Sequence, residues 1–232
     1  MKNNKNNLFK MIRATVFLTI IGISTSNAQG VFITEIADPD NNAAARFVEL
    51  YNSGTTDIDL ANAGYKIQRW TNGNDSPTTS SIKDLTGVIP AGGFYILVPG
   101  DGSEFQSTYG FAANQVIGDG GAADSNGDDQ IAITNSAGDI IDIFGVPGED
   151  GTGTSHEFED GRAERVATVT SGSPSWIAAE WNIDNDAGDG NGPQQAPADF
   201  DPGTWIGQQT NPPSLYAHVW KLIPEAGSLV VS

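Results

Sequence analysis

Short runs of alternating apolar and polar residues, separated by Gly, Asn and Asp clusters, fill most of this chain. Val31, Ile33 and Glu35 alternate with Phe32, Thr34 and Ile36, and Ile131 and Ile133 alternate with Ala132 and Thr134. A period of two over this length is strand chemistry, because successive side chains of an extended backbone point to opposite faces. The pattern predicts strands over 31–36, 47–52, 65–70, 94–98, 130–134 and 140–144, with shorter ones at 57–60, 81–85, 116–117 and 164–168. Asn135-Ser136-Ala137-Gly138 predicts a hairpin turn between the last two long strands. Helical patterning is weak. It predicts a turn of helix over 104–109 with Ser103 as N-cap, and another short turn over 175–181. Many short strands with polar turns point to an all-β sandwich or barrel.

The densest strand signal is Arg46-Phe47-Val48-Glu49-Leu50-Tyr51-Asn52, closed by Ser53-Gly54. Val48 and Leu50 share one face; Phe47, Glu49 and Tyr51 share the other. An acid in mid-strand requires that face to meet water or a polar partner. Glu49 reads as a solvated or hydrogen-bonded strand residue, part of the scaffold.

The first residues stand apart. Lys2, Lys5, Lys10 and Arg13 form a basic region, residues 14–23 form a short apolar run, and Ser26-Asn27-Ala28 is a small-residue cleavage pattern. The expectation is a secretory signal peptide over 1–28, cut near Ala28-Gln29, and a secreted or extracytoplasmic mature chain without a membrane span. The whole chain carries 11 basic and 29 acidic residues, and losing those four basic residues takes the net charge from -18 to about -22. A field of that sign repels nucleic-acid phosphates unless a cation intervenes, so direct electrostatic nucleic-acid binding is not expected. No cysteine is present, which excludes thiol catalysis and Cys-ligated zinc.

Composition divides the rest into 29–145, the β-patterned unit, and 146–210, rich in Gly, Asp, Pro and Asn. Trp176, Trp181, Phe200 and Trp205 lie in that second part. A merely flexible linker rarely carries so many large rings, so an irregular extension packed on the sandwich is expected. Residues 211–232 match nothing upstream and read as a tail, a fragment of a further domain or an altered reading frame.

Three acidic loops offer oxygen ligands for calcium: 38–42, 124–129 and 184–191. The candidate ligands are Asp124, Asn126 and Asp128 in the second, and Asp184, Asp186 and Asp189 in the third. Neither matches the EF-hand spacing, and Asp, Asn and Gly also populate ordinary turns. His156, flanked by Ser155 and Glu157, reads as a loop histidine held by hydrogen bonds; no G-x-S-x-G elbow accompanies it. Glu159-Asp160-Gly161-Arg162 reads as an internal ion-pair network with Arg165. Tyr65, Trp70 and Tyr95 read equally as core or as a stacking platform. No residue carries a catalytic assignment, and the chain is not expected to be an enzyme.

Taken in order, Ile33-Thr34-Glu35-Ile36, the 47–54 segment, Asp57-Ile58-Asp59-Leu60, Gly64-Tyr65-Lys66-Ile67, the 89–97 segment and the strand pair 129–134 and 139–144 resemble the lamin tail domain. The resemblance implies an immunoglobulin-like β-sandwich that serves mainly as a binding module, in nuclear lamins and in many secreted bacterial proteins. Gly148-Glu149-Asp150-Gly151, the 156–165 segment and the 199–207 segment resemble the extension that follows this domain in secreted bacterial proteins, some of them extracellular nucleases. The metal-dependent catalytic domain of those nucleases has no counterpart within these residues, so no catalytic role carries over. The leading expectation is a secreted, non-catalytic binding or targeting module whose extracellular ligand is a protein, a glycan or cation-bridged DNA. The alternatives are the accessory part of an extracellular nuclease and a calcium-stabilised surface or adhesion protein.

Overall fold

The computed structural model describes residues 30–39, 42–185 and 200–208 of the chain. The first half contributes β1 (Val31–Ala37), β2 (Phe47–Asn52), β3 (Ile58–Asp59), β4 (Lys66–Trp70), β5 (Lys83–Asp84), β6 (Val88–Ile89) and β7 (Phe94–Val98). Then follow β8 (Gln115–Val116), β9 (Gln130–Thr134), β10 (Ile140–Phe144), β11 (Arg162–Arg165) and β12 (Trp181–Asp184). Two short helices, α1 (Leu60–Ala63) and α2 (Ser103–Tyr109), lie among them. The larger sheet runs β12-β11-β1-β2-β7-β8, the smaller β10-β9-β4-β5, and β3 and β6 pair separately. Pairing is antiparallel except between β7 and β8.

The core lies between the two main sheets. Ile33, Val48, Leu50 and Leu97 of the larger sheet are packed into one cluster with Ile67, Ile131, Ile133 and Phe144 of the smaller one. These are the alternate positions that the period-two pattern assigns to a single face. The architecture is an immunoglobulin-like β-sandwich, mostly β with little helix.

The larger sheet is also covered on its second face, which explains why every residue of β1 is buried. Phe105 of α2 and Phe200 pack with Ala37, Phe47, Ile96 and Val98. Trp205 and Val169 pack with Phe32, beside Tyr51 and Phe94. Trp205 meets Phe32 edge-on with ring centres 5.5 Å apart. The chain after Gly145 thus adds two strands to the larger sheet and a layer over its outer face.

The six longer strands lie where the alternation puts them, give or take one residue. The hairpin turn at 135–138 closes through Asn135 N–H to Asp139 O and Gly138 N–H to Asn135 O, with Gly138 at φ 87°. Local helix geometry differs from expectation. Gly102, in the left-handed region at φ 77°, caps α2, and the Asp101 carboxylate accepts from the Ser103 N–H at 3.0 Å, so Ser103 is inside the helix. Over 175–181 only residues 178–180 turn, as a 3-10 turn, before the chain extends into β12. There Trp181 and Ile183 join the core cluster while β12 pairs with β11, and this tertiary pairing overrides the local pattern. Helix α1 has no apolar periodicity to announce it; Asp59 caps its Asn62 N–H at 3.0 Å.

One buried ion pair ties the sheets together. The Arg165 guanidinium of β11 donates to both Asp142 oxygens of β10, at 2.7 and 2.6 Å. Both side chains are fully enclosed. Next to them the β1–β11 ladder begins only at Glu35, with a bulge between Ile33 and Glu35. Ile33 N–H donates to Asp142 Oδ2 at 2.8 Å, and Ile33 O accepts from Arg165 Nε at 3.1 Å. Side chains thus take the place of ladder bonds for both backbone polar groups of Ile33. The guanidinium also lies 4.1 Å from the Trp181 ring centre and bonds Glu180 at 2.8 Å. Asp142→Ala leaves a buried cation and an unbonded Ile33 N–H. It is expected to lower unfolding free energy by about 3–5 kcal/mol, read from the urea midpoint by tryptophan fluorescence.

Candidate functional site

Two acidic regions stand out: an end of the sandwich and the outer face of the larger sheet. At the end, loops around residues 72, 124–129, 150 and 159 come together. Gly127 sits at φ 99°, and a Cβ there would lie 2.3 Å from the Glu159 backbone nitrogen, so this position accepts only glycine. Asp129 is fully buried and takes bonds from Arg69 Nη1 at 3.0 Å and Asn72 N–H at 3.1 Å. Asp124 is bound by Arg46 Nη1 at 3.4 Å and by Gly120 N–H at 2.8 Å. Arg46 Nε also holds Asp38 at 2.5 Å. Burial outweighs that arginine and pushes the Asp38 carboxyl up to about 6.

The predicted ligands of the second loop therefore have different surroundings. Asp124 has an arginine beside it, and Asn126 is exposed. Asp128 is 8% exposed; its Oδ2 lies 3.4 Å from Asn72 Nδ2, and its Oδ1 accepts no hydrogen bond. Burial, then Asp129, Asp150 and Glu159, raise its pKa. Asp184 ends β12 opposite Arg162 in the strand register. Asp186 and Asp189 lie outside the described residues, as does most of the third loop. In the first loop Asp38 is described and residues 40–41 are not. Among the described residues no three His, Asp or Glu side chains are grouped as a metal site.

His156 is fully buried. Its Nδ1 lies 2.9 Å from the Thr154 hydroxyl and its Nε2 lies 3.3 Å from Gln130 Nε2, while Phe144 and Trp176 pack edge-on against the ring. Burial lowers its pKa, partly offset by Glu149 at 3.8 Å. His218 lies outside the described residues. Tyr65, Trp70 and Tyr95 are buried, which rules out a stacking platform made by them. Arg165, expected to pair within 159–162, pairs with Asp142 and Glu180, which folding brings to it from far along the chain.

The second acidic region was not visible in advance. Glu164, Glu35 and Glu49 are register partners on three adjacent strands, so their side chains form one row on the outer face. The row continues to Asn182 on β12 and Ile96 on β7. Glu35 is 1% exposed and Glu49 is wholly buried. Glu49 Oε1 accepts from Thr34 Oγ1 at 2.7 Å, and Glu49 Oε2 accepts from Gly203 N–H at 2.6 Å. Arg162 reaches Glu35 at 3.3 Å, Glu164 at 3.7 Å and Asp201 at 3.1 Å. Glu35 Oε2 and the Tyr109 hydroxyl accept and donate no hydrogen bond. Burial pushes the Glu49 carboxyl up to about 8, against the pull of its Thr34 and Gly203 bonds. Burial and the facing Glu49 hold Glu35 well above the usual carboxylate range, against Arg162. The signal in the sequence was an acid within each predicted strand: Glu49 in the middle of 47–52, Glu35 near the end of 31–36 and Glu164 at the start of 164–168.

A groove of about 310 Å³ runs along the β10 edge of the smaller sheet, lined mainly by Ile140, Ile143, Val146, Pro147, Pro174 and Trp176.

A two-sheet immunoglobulin-like sandwich with acidic loops at one end and a covering C-terminal segment is the class that this geometry defines. A model of the lamin tail domain family matches residues 24–148, more than half of the chain, and the chain belongs to that family. No curated protein matches it.

The buried carboxylates set the pH dependence of stability. A carboxyl whose folded pKa is raised stabilises the fold fully below its unfolded pKa, and that contribution is lost as pH rises through the folded value. Glu49, at about 8, and Glu35 act in this direction. His156, lowered on folding, costs stability only as pH falls below its unfolded value of 6.5. The melting temperature is therefore expected to drop between about pH 7 and about pH 8.5, where His156 is neutral in both states. Differential scanning fluorimetry checks this; a rise over that interval contradicts it.

Proposed function

We propose that the chain is an exported, non-catalytic binding or targeting module of lamin tail type. The observation that carries this reading is how the groups capable of chemistry are used. His156 is enclosed by Thr154, Gln130 and two aromatic rings, and the buried acids brace strands and loops. The hydroxyl beside the His156 ring, that of Thr154, lies 2.7 Å from the Gly151 carbonyl and donates to it, which ties it into the loop; such groups hold a scaffold. The basic and apolar leader supports export. The ligand is an extracellular protein, a glycan or DNA bridged by cations. Purified protein is expected to leave plasmid DNA intact with magnesium and to be retained on cell-envelope material, extracellular glycans or calcium-bridged DNA. Magnesium-dependent cleavage that copurifies with the protein sinks this reading, as does failure to bind all of these materials.

The accessory part of an extracellular nuclease is the second reading. It is favoured by the segments that resemble that extension, since Arg162, Arg165, Gly203 and Trp205 are the residues that fasten it to the sandwich.

Calcium at the 124–129 loop is a further part of the proposal, resting on the buried Asp128 Oδ1 that accepts no bond. Arg46 and Arg69 already sit on Asp124 and Asp129, so Asp128 is the side chain with spare capacity. Binding confined to the folded state adds about 2.7 kcal/mol when calcium is at 100 times its Kd. Millimolar calcium is expected to raise the melting temperature of the parent protein, and to raise that of Asp128→Asn less. No response to calcium or chelator rejects the site.

A further inference from the structure

The glutamate row lies beneath the point where the C-terminal segment crosses the larger sheet. Between its two aromatic anchors, Phe200 and Trp205, that segment presents Asp201 to Arg162 and the Gly203 N–H to Glu49. An otherwise apolar interface thus has a charged centre.

We propose that residues 200–208 form a proton-operated latch, closed on the outer face while the glutamate row holds protons and lifting as the row ionises to uncover Phe32, Tyr51 and Phe94.

The charges facing one another support this. Glu35 comes from β1, Glu49 from β2, Glu164 and Arg162 from β11, and Asp201 from the segment itself. Helix α2 adds Tyr109, whose hydroxyl burial and Glu35 keep neutral. β7 and β12 add Ile96 and Asn182, which carry no charge. Arg162 is the cation bonded to this row among the described residues. Glu35, Glu49 and Glu164, buried in one row with the half-exposed Asp201 beside them, repel one another when ionised. Protons relieve the surplus, and the hydrogen bonding accommodates one. With Glu49 protonated, its hydroxyl donates to Thr34 Oγ1, 2.7 Å away, while Oε2 still accepts from Gly203. The Thr34 hydroxyl then turns to the Glu49 carbonyl at 3.5 Å. Lifting the segment removes Asp201 and admits water, so the opened row releases its protons.

The direction follows from linkage. The closed state holds the Glu49 proton up to about pH 8, whereas a solvated glutamate loses it near 4.5. Closing is strongest in acid and weakens through that interval, with Glu35 acting in the same sense.

Hydrogen–deuterium exchange of the peptide spanning 200–208, in the full chain, tests this. Rates are divided by the unstructured rate at each pH, and the β9 peptide 130–134 serves as the core reference. Protection of 200–208 is expected to fall by up to about tenfold per pH unit, between about pH 5 and pH 8, for each proton bound only in the closed state. At every pH the core peptide is expected to stay better protected than 200–208, because the segment lifts without unfolding the sandwich. In Glu49→Gln, which keeps an acceptor for Gly203 but cannot ionise, the slope is expected to drop by one proton's worth. A flat profile in the unmodified protein overturns the latch without recourse to any variant. So does protection of 200–208 equal to that of the core peptide, which would mean that the segment opens only by global unfolding, or a slope unchanged in Glu49→Gln. Protection set by millimolar calcium at constant pH also overturns it, because the row would then be a cation site.

Discussion

The sandwich depends on the buried contact between Arg165 and Asp142 more than on any other polar interaction. Apolar burial drives the sheets together but does not choose their relative position. The ion pair does, because it joins β11 of one sheet to β10 of the other and takes in both polar groups of Ile33 at the β1 bulge. The same residue controls the third layer: the Arg165 carbonyl accepts from Trp205 Nε1 at 2.5 Å. A chain without cysteine has no disulfide to perform this task. Removing a charge from water is costly, so such a pair is retained where its geometry is specific rather than where it maximises stability.

Arginine is scarce in this chain, and its placement organises the acids. Arg46 joins Asp38 to Asp124, and Arg69 joins Asp129 to the Asp124 carbonyl. Arg162 joins Glu35, Glu164 and Asp201, while Arg165 joins Asp142 and Glu180. Each guanidinium connects segments that are remote in sequence, which suits its forked donors better than a lysine ammonium. Buried acids still outnumber these clamps. The raised carboxyls of Glu35, Asp38, Glu49 and Asp128 are the physical consequence, since burial without a full counter-charge favours the neutral form.

Much of the fold was legible because it rests on local alternation. The strands at 47–52, 94–98, 130–134 and 140–144 follow directly from side-chain period, and the hairpin at 135–138 from turn chemistry. The pieces that escaped depend on distant partners. β12 exists because β11 is beside it, and β6 because β3 is. Glu49 shows the same limit within one residue. Its position in mid-strand announced a need for a polar partner, but Thr34 and Gly203 supply it from 15 and 154 residues away. The acids in the 124–129 loop were equally visible, whereas the arginines that neutralise them come from β4 and the approach to β2.

Where a partner can sit is constrained by what is already covered. Both faces of the larger sheet are occupied, one by the smaller sheet and the other by α2 and the C-terminal segment. Among the described residues that leaves the smaller sheet's edges and outer face and the loops at the ends of the sandwich, which is where immunoglobulin-like domains have room to vary without disturbing the core. The groove beside β10 joins these regions, since Val146 and Pro147 on its wall lead straight into Glu149 and Asp150. A ligand that fills it meets apolar walls and, a few residues on, carboxylates. By charge complementarity, a surface of this kind would take an apolar anchor flanked by positive charge more readily than an unscreened polyanion.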